Sequence, residues 1–223
     1  MSVCLFLTYR ADGELDPRDI ASLDAAFHSQ PKLQKVLIHT STSVNDPCLK
    51  DDSPPQLVLQ LYFATLPELE AAAARGGLVG TLASRRFPSL AKAAVTQQAM
   101  LVRTFAVPEP RLPRCTYLVA YEGEAQDFNA WLRHYLDKHT VHMARFPAIR
   151  ELEVYTRVDW VSELPLQRVS FMQRNKVAFD SAEALSVALH SPVRHEMRAD
   201  YHRFPPFTGS VSHFAMSTRI VRL

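Results

Sequence analysis

The chain is expected to adopt an α+β fold: two tandem ferredoxin-like β-α-β-β-α-β units, residues 1–107 and 114–223, packed sheet to sheet as an intramolecular, pseudo-dimeric α+β barrel. Three observations predict it. Short segments recur at a nearly constant offset, each half spells the same order of strands and helices, and the Pro-rich stretch "VPEPRLPR" (107–114) separates the halves. "QPKLQKVLIHT" (30–40) lines up with "FPAIRELEVYT" (146–156), placing Pro31 with Pro147, Leu33 with Ile149 and Thr40 with Thr156, an offset of 116 residues. At the same offset "AMLVRTF" (99–105) meets "AMSTRIV" (215–221), with Arg103 opposite Arg219. "RFP" at 86–88 meets "RFP" at 203–205, one residue further out. A single unit would expose the apolar face of its sheet, and a second copy in the same chain covers it.

The elements follow in order. "SVCLFLTY" (2–9) is a short apolar run rich in β-formers; without a basic leader or a cleavage site it reads as a first strand, not a signal peptide. A weakly patterned helix at 17–27 leads to "KLQKVLIHT", which alternates like a half-buried strand. "QLVLQLYFA" (56–64) is the third strand, and Thr65-x-x-Glu68 is a capping box that opens the second helix. "AMLVRTFAV" (99–107) closes the half. In the second half "CTYLVAY" (115–121) precedes a strongly patterned helix over 126–145, then the strands "AIRELEVYT" (148–156) and "QRVSFMQRNKVAF" (167–179). Asp180-x-x-Glu183 starts a helix that Pro192 should split in two, and "VSHFAMSTRIV" (211–221) is the last strand.

Composition narrows the function. With 47% hydrophobic and 22% charged residues the chain is an ordinary globular one, and a net charge of +2 gives no electrostatic case for nucleic acid. No apolar run reaches the roughly 18 residues a membrane span needs. Cys4, Cys48 and Cys115 form no CxxC pair, so a reduced, cytoplasmic setting is expected. GxGxxG, Walker A, GxSxG and HxE…CxxC patterns are absent, and six glycines leave little for a phosphate cradle. No cofactor is therefore expected.

Chemistry concentrates in the second half, which holds seven of the nine histidines and is read as the pocket-bearing copy; the first is read as scaffold. Phe128, Trp131, Leu132, Tyr135, His139, His142 and Phe146 share one helical stripe. His139 thus sits among buried side chains, where an unsatisfied imidazole costs about 1–3 kcal/mol. It is a general acid/base in the functional reading and a core histidine bonded to a carbonyl in the bland one. His142 is placed at the substrate rim. No carboxylate completes a metal set with this i, i+3 pair, so no metal is expected. His134, about 100° from Tyr135 on the wheel, is assigned to solvent. Asp200 is read either as a site residue, orienting His139 or binding a substrate hydroxyl, or as a helix-end carboxylate satisfied by a nearby N–H or Arg203. Tyr117, Tyr135 and Tyr155 are candidate phenols on a pocket wall, Arg150 a candidate clamp for a substrate carboxylate, and Trp131 and Phe204 apolar walls. At the matching positions of the first half stand Leu23 for His139, and Ala83 or Ser84 for Asp200.

The run "DKHTVHMARFPAIRELEVYT" followed by "AFDSAEALSVALHSPVRHEMRADYHRF" resembles the EthD-like branch of the dimeric α+β barrel proteins. His139, Pro147, Phe179, Ser181, Leu185, Ser191, Asp200 and Phe204 carry the match, over about residues 115–220; the first half shares only the pattern of elements. The resemblance implies a pocket for small aromatic or polyketide-like molecules. Many relatives of this kind act without a cofactor as lyases, cyclases, isomerases or monooxygenases, and one group holds haem. The expected function is a cofactor-independent lyase or isomerase, working by decarboxylation, cyclisation or isomerisation on a small aromatic or phenolic molecule of a catabolic or secondary-metabolite pathway. A haem-binding or monooxygenase-type barrel enzyme is one alternative, and a non-catalytic small-molecule-binding protein another. A homodimer of the pseudo-dimeric chain is compatible with all three.

Overall fold

The computed structural model describes residues 2–28, 30, 32–47, 53–83 and 87–221. Pro31, Cys48, Ser84 and Arg86, used in the sequence comparison, lie outside them. The first half runs β1 (Val3–Arg10), α1 (Pro17–Phe27), β2 (Lys35–Ser41), β3 (Leu57–Phe63), α2 (Leu66–Ala72), α3 (Leu78–Ala83) and β4 (Ala94–Phe105). The second runs β5 (Cys115–Tyr121), α4 (Phe128–His134), a π-helical turn (Tyr135–His139), α5 (Thr140–Met143), β6 (Glu151–Arg157), β7 (Gln167–Arg168), β8 (Gln173–Phe179), α6 (Ala182–Leu189), α7 (Pro192–Tyr201) and β9 (Val211–Val221).

Pairing is antiparallel in the order β2-β3-β1-β4 in the first half and β6-β8-β5-β9 in the second. β2 then pairs with β9 and β4 with β6, so the sheets join edge to edge into one closed ring of eight strands. Closure removes the exposed edges that would otherwise invite aggregation. An eight-stranded ring is also narrow enough for side chains to fill. Among the described residues no helix is long and apolar enough to cross a membrane.

The expected single strand over 167–179 is divided. Gln167 and Arg168 form β7 beside Thr96 and Gln97 of β4, and only from Gln173 does the chain enter the ring. The physical reason is a competing edge: Val169 donates to the Gln97 carbonyl, and the Gln97 side chain bonds the Leu164 and Leu166 carbonyls, so this segment is held outside the ring. The fourth strand also starts earlier than expected, at Ala94, because its first residues pair with the far end of β1.

Three cores result. Leu23, Phe27, Leu69 and Val79 pack on the outside of the first half's strands, and Leu23 is 1% exposed. Trp131, Tyr135, Phe146, Leu185 and Leu189 pack on the outside of the second half's strands. Phe6, Leu37, Tyr62, Met100, Tyr155 and Met216 fill the ring. The long connections cross over. The segment after β6 lays Trp160 and Leu164 into the first core, with Glu163 donating to the Ala73 carbonyl. The segment after β2 lays Val44 against the second core.

One end of the ring's interior is polar. Lys176, fully buried, lies 2.9 Å from Glu153 and 3.0 Å from Glu151, and Tyr62 and Tyr155 donate to Glu153. His39 joins Thr218 and Gln60, and Gln60 donates to Tyr155, extending the network along the ring. Burial opposes the Glu153 charge, but Lys176 and Lys35 outweigh it and hold its pKa at about 2. Burial lowers His39 to about 3, so its ring is neutral. Removing one partner of a buried pair strands the other, so Lys176→Met should cost about 3–5 kcal/mol in urea unfolding. Both shifts act in one direction with pH. Glu153 titrates lower in the folded state than its ordinary 4.5, so its contribution is present above that value and lost as pH falls toward about 2. His39 must take up a proton on unfolding below its ordinary 6.5, so its stabilising effect declines from there toward about 3. Urea midpoints measured from pH 7 to pH 3 are expected to fall steadily.

Candidate active site

The site is built on the long helical segment of the second half and on α7. Asp127 caps α4 through the Ala130 N–H at 2.9 Å. The helix then widens: the Thr140 N–H bonds the Tyr135 carbonyl five residues back, a π-turn. In an α-helix, residues five apart point about 140° away from each other. The wider turn stacks them, which brings His134 and His139 to one side. On the facing element Pro192 occupies the first turn of α7, where a missing N–H is harmless, and the helix carries Arg194, Met197 and Asp200 on its buried side.

Asp200, 5% exposed, meets both rings: His139 Nδ1 at 2.9 Å from Oδ2, and His134 Nε2 at 3.0 Å from Oδ1. Burial opposes the carboxylate's charge, but the two imidazole hydrogen bonds outweigh it and hold its pKa below the usual value. An ionised carboxylate only accepts, so both ring nitrogens are the donors. His139 is therefore protonated at Nδ1, and its lone pair is at Nε2. Burial pushes the His139 pKa down to about 4 despite the pull of Asp200, so the ring is neutral at pH 7. Phe204, with its centroid 4.9 Å from that of His139, and Tyr135 at 5.0 Å fix the ring plane.

His139 stands on the wall of a cavity of about 250 Å³ between the strands and helices of the second half. Tyr121, Phe146, Val177 and Met197 make it apolar, while Asn175, Arg194 and His213 add polar groups. Asn175 donates to the Tyr135 hydroxyl at 2.7 Å, and its own carbonyl oxygen has no hydrogen-bond partner among the described residues. Asp46, from the segment after β2, accepts from Tyr117 at 2.7 Å and Arg194 at 2.9 Å. The first half thus supplies a bracket on the cavity of the second.

Of the residues singled out from sequence, His139, Tyr135 and Tyr117 line the cavity, with Asp200 directly behind His139. Trp131 and Phe204 are one layer back: Trp131 is fully buried, stacked on Tyr135 at 5.2 Å, and Phe204 packs on both. Three expected contacts are corrected. His142 turns outward to Glu196 at 3.2 Å, because the π-turn shifts every later residue of the helix round its axis. Arg150 is held by Asp180 at 2.9 Å and by Glu109, away from the cavity. Tyr155 points into the ring, since its neighbours Leu152 and Val154 take the helix-facing side and strand residues alternate. His134 is corrected as well: it is an Asp200 ligand, not a solvated residue. Arg194 was legible in principle, because it precedes Met197 and Asp200 at three-residue spacing on one helix face. Asp46 carries no such signal, since only the folded chain brings its loop to the cavity.

The ring and its helices define the class: an α+β barrel. No family model and no curated protein matches the sequence. Solved structures share the fold. An anthrone oxidase-like protein aligns with TM-score 0.64 and 12% identity over 99% of this chain and 93% of its own. A presumed monooxygenase from Lactobacillus acidophilus aligns with TM-score 0.57 and 12% identity over 99% of this chain and 96% of its own. An EthD family protein from Bacillus halodurans aligns over 44% of this chain and 96% of its own, with 20% identity and TM-score 0.35, which is too low to argue from.

The assigned tautomer is open to direct measurement. Nitrogen chemical shifts of the His139 ring should show a neutral, Nδ1-protonated imidazole at pH 6, taking up its second proton only near pH 4. Asp200→Asn should change the His139 ring signals and leave those of His195, exposed on α7, where they were.

Proposed function

We propose that this chain is an enzyme that deprotonates a small phenolic or enolisable aromatic substrate, and that the resulting carbanion reacts with dioxygen without a cofactor. The observation that carries the reading is the neutral His139 on the wall of an apolar cavity, oriented by buried Asp200. We take the two halves, 1–107 and 114–223, as tandem copies of one ferredoxin-like unit, with an EthD-like second copy that kept the site. The resemblance in fold to an anthrone oxidase-like protein and a presumed monooxygenase favours oxygenation over the lyase or isomerase chemistry expected from sequence. All these reactions share the first step.

In that step Nε2 of His139 accepts a proton from the activated C–H or O–H, and Asp200 stabilises the imidazolium that forms. The Asn175 carbonyl oxygen is the acceptor for a substrate hydroxyl, and the apolar walls keep water from quenching the carbanion. For an anthrone-type methylene the balance is one substrate and one O₂ giving one quinone and one water. Both C–H bonds break, one oxygen atom forms the new carbonyl, and the other leaves as water. The substrate supplies the electrons.

Anthrone is the probe, with no cofactor added. Oxygen uptake and quinone absorbance should rise one to one. His139→Gln and Asp200→Asn should each lower turnover by about 10²–10⁴ with the melting curve little changed, while His195→Ala keeps full rate. Because a base must be unprotonated to act, activity should be lost as pH falls through about 4. Conversion of substrate under nitrogen would return the assignment to a lyase or isomerase. Normal turnover by folded His139→Gln would end the acid/base role altogether.

A further inference from the structure

A second cavity, of about 130 Å³, opens at the mouth of the ring opposite the Lys176 cluster. Its wall includes the end of β1 (Arg10), the start of β4 (Thr96), Glu122 just past β5, Phe171 and Arg174 at the entry to β8, and Ser212 on β9. Arg174 is its unusual member. It is only 8% exposed, yet no carboxylate pairs with it among the described residues. Among the described residues its one hydrogen bond runs from Nε to Gln98 at a long 3.4 Å, and its four terminal N–H donors have no partner. The guanidinium carbon is 4.8 Å from the Phe6 ring centre and 4.5 Å from that of Phe171. These rings orient the cation but accept no hydrogen bonds along its edge. Burial lowers its pKa only to about 10, so it stays charged at neutral pH.

The other charged groups at the mouth are already engaged. Arg10 donates to the Ser53 carbonyl at 2.9 Å, and Glu122 accepts from Ser210 at 3.0 Å. Thr8, also on the wall, has a buried hydroxyl with no partner among the described residues. A buried charge without an acceptor is costly, and a planar fork of N–H groups matches a carboxylate edge to edge. Apart from Asn175 the remaining wall is apolar, with Val58, Leu118 and Phe214. For scale, an apolar cavity of about 150 Å³ holds one benzene ring, so a single ring is the upper limit for this slightly smaller space, which opens at the mouth of the ring.

We infer that the mouth of the ring is a binding site for a single-ring aromatic monocarboxylate, held by Arg174 and separate from the His139 cavity. The ligand's ring lies among Val58, Leu118 and Phe214, and its carboxylate meets the free edge of the guanidinium. The two cavities share a wall, since Val119 and Asn175 border both.

Benzoate is the probe, titrated into the full chain by calorimetry. Saturable binding to the wild type is expected. Benzamide, neutral and of the same shape, should bind more than about tenfold more weakly, because charge-assisted hydrogen bonds are lost. Arg174→Met should weaken benzoate by at least the same factor, and His139→Gln should leave benzoate binding unchanged. Benzamide binding as tightly as benzoate would overturn the assignment without recourse to any variant. So would unchanged affinity in a folded Arg174→Met, loss of binding in His139→Gln, or no binding at millimolar benzoate.

Discussion

A closed ring of strands allows each side chain only two destinations, the interior or the outer face under the helices. Closure through β2–β9 and β4–β6 imposes this on all eight strands at once. On β8, Asn175 and Val177 go outward to the His139 cavity, while Arg174 and Lys176 go inward. A one-residue slip would exchange these sets, placing two cations under the helices and leaving the buried glutamates facing Asn175 and Val177 in place of Lys176. The His139 cavity, the ion cluster and the Arg174 mouth all depend on that register.

Much of the fold was legible because its signals are local. Apolar runs, the capping box at Thr65 and Glu68, and prolines at 147 and 192 mark where elements begin and end. His139 and Asp200 were legible because each stands in line with buried side chains of its own helix, Tyr135 for one and Met197 for the other. Tyr155 was misplaced for want of the strand's phase: alternation is visible in "ELEVYT", but which parity faces inward depends on partners distant in sequence. Arg150 likewise found ion partners that no periodicity reveals.

The histidines show a different limit. A wheel drawn at 100° per residue separates His134 from His139 and keeps His142 near the stripe. One π-turn reverses both placements, and composition gives no warning of it. Such turns are rare and recur at functional sites, and this one shapes the wall of the His139 cavity. The turn gives Asp200 two imidazole donors in place of one. Those two bonds hold the carboxylate's pKa below its usual value, and among the described residues no arginine or lysine is directly bonded to it.

Asp46 is separated from its partners Tyr117 and Arg194 by the whole linker, yet it braces the cavity wall they share. In the opposite direction, Trp160 and Leu164 complete the hydrophobic packing of the first half. Each side of the linker therefore finishes the other. In evolutionary terms this couples the halves: a change at position 46, in the half lacking His139, would alter the wall of a cavity that half does not contain. Splitting the gene at the linker would produce two obligate partners, neither a substitute for the other.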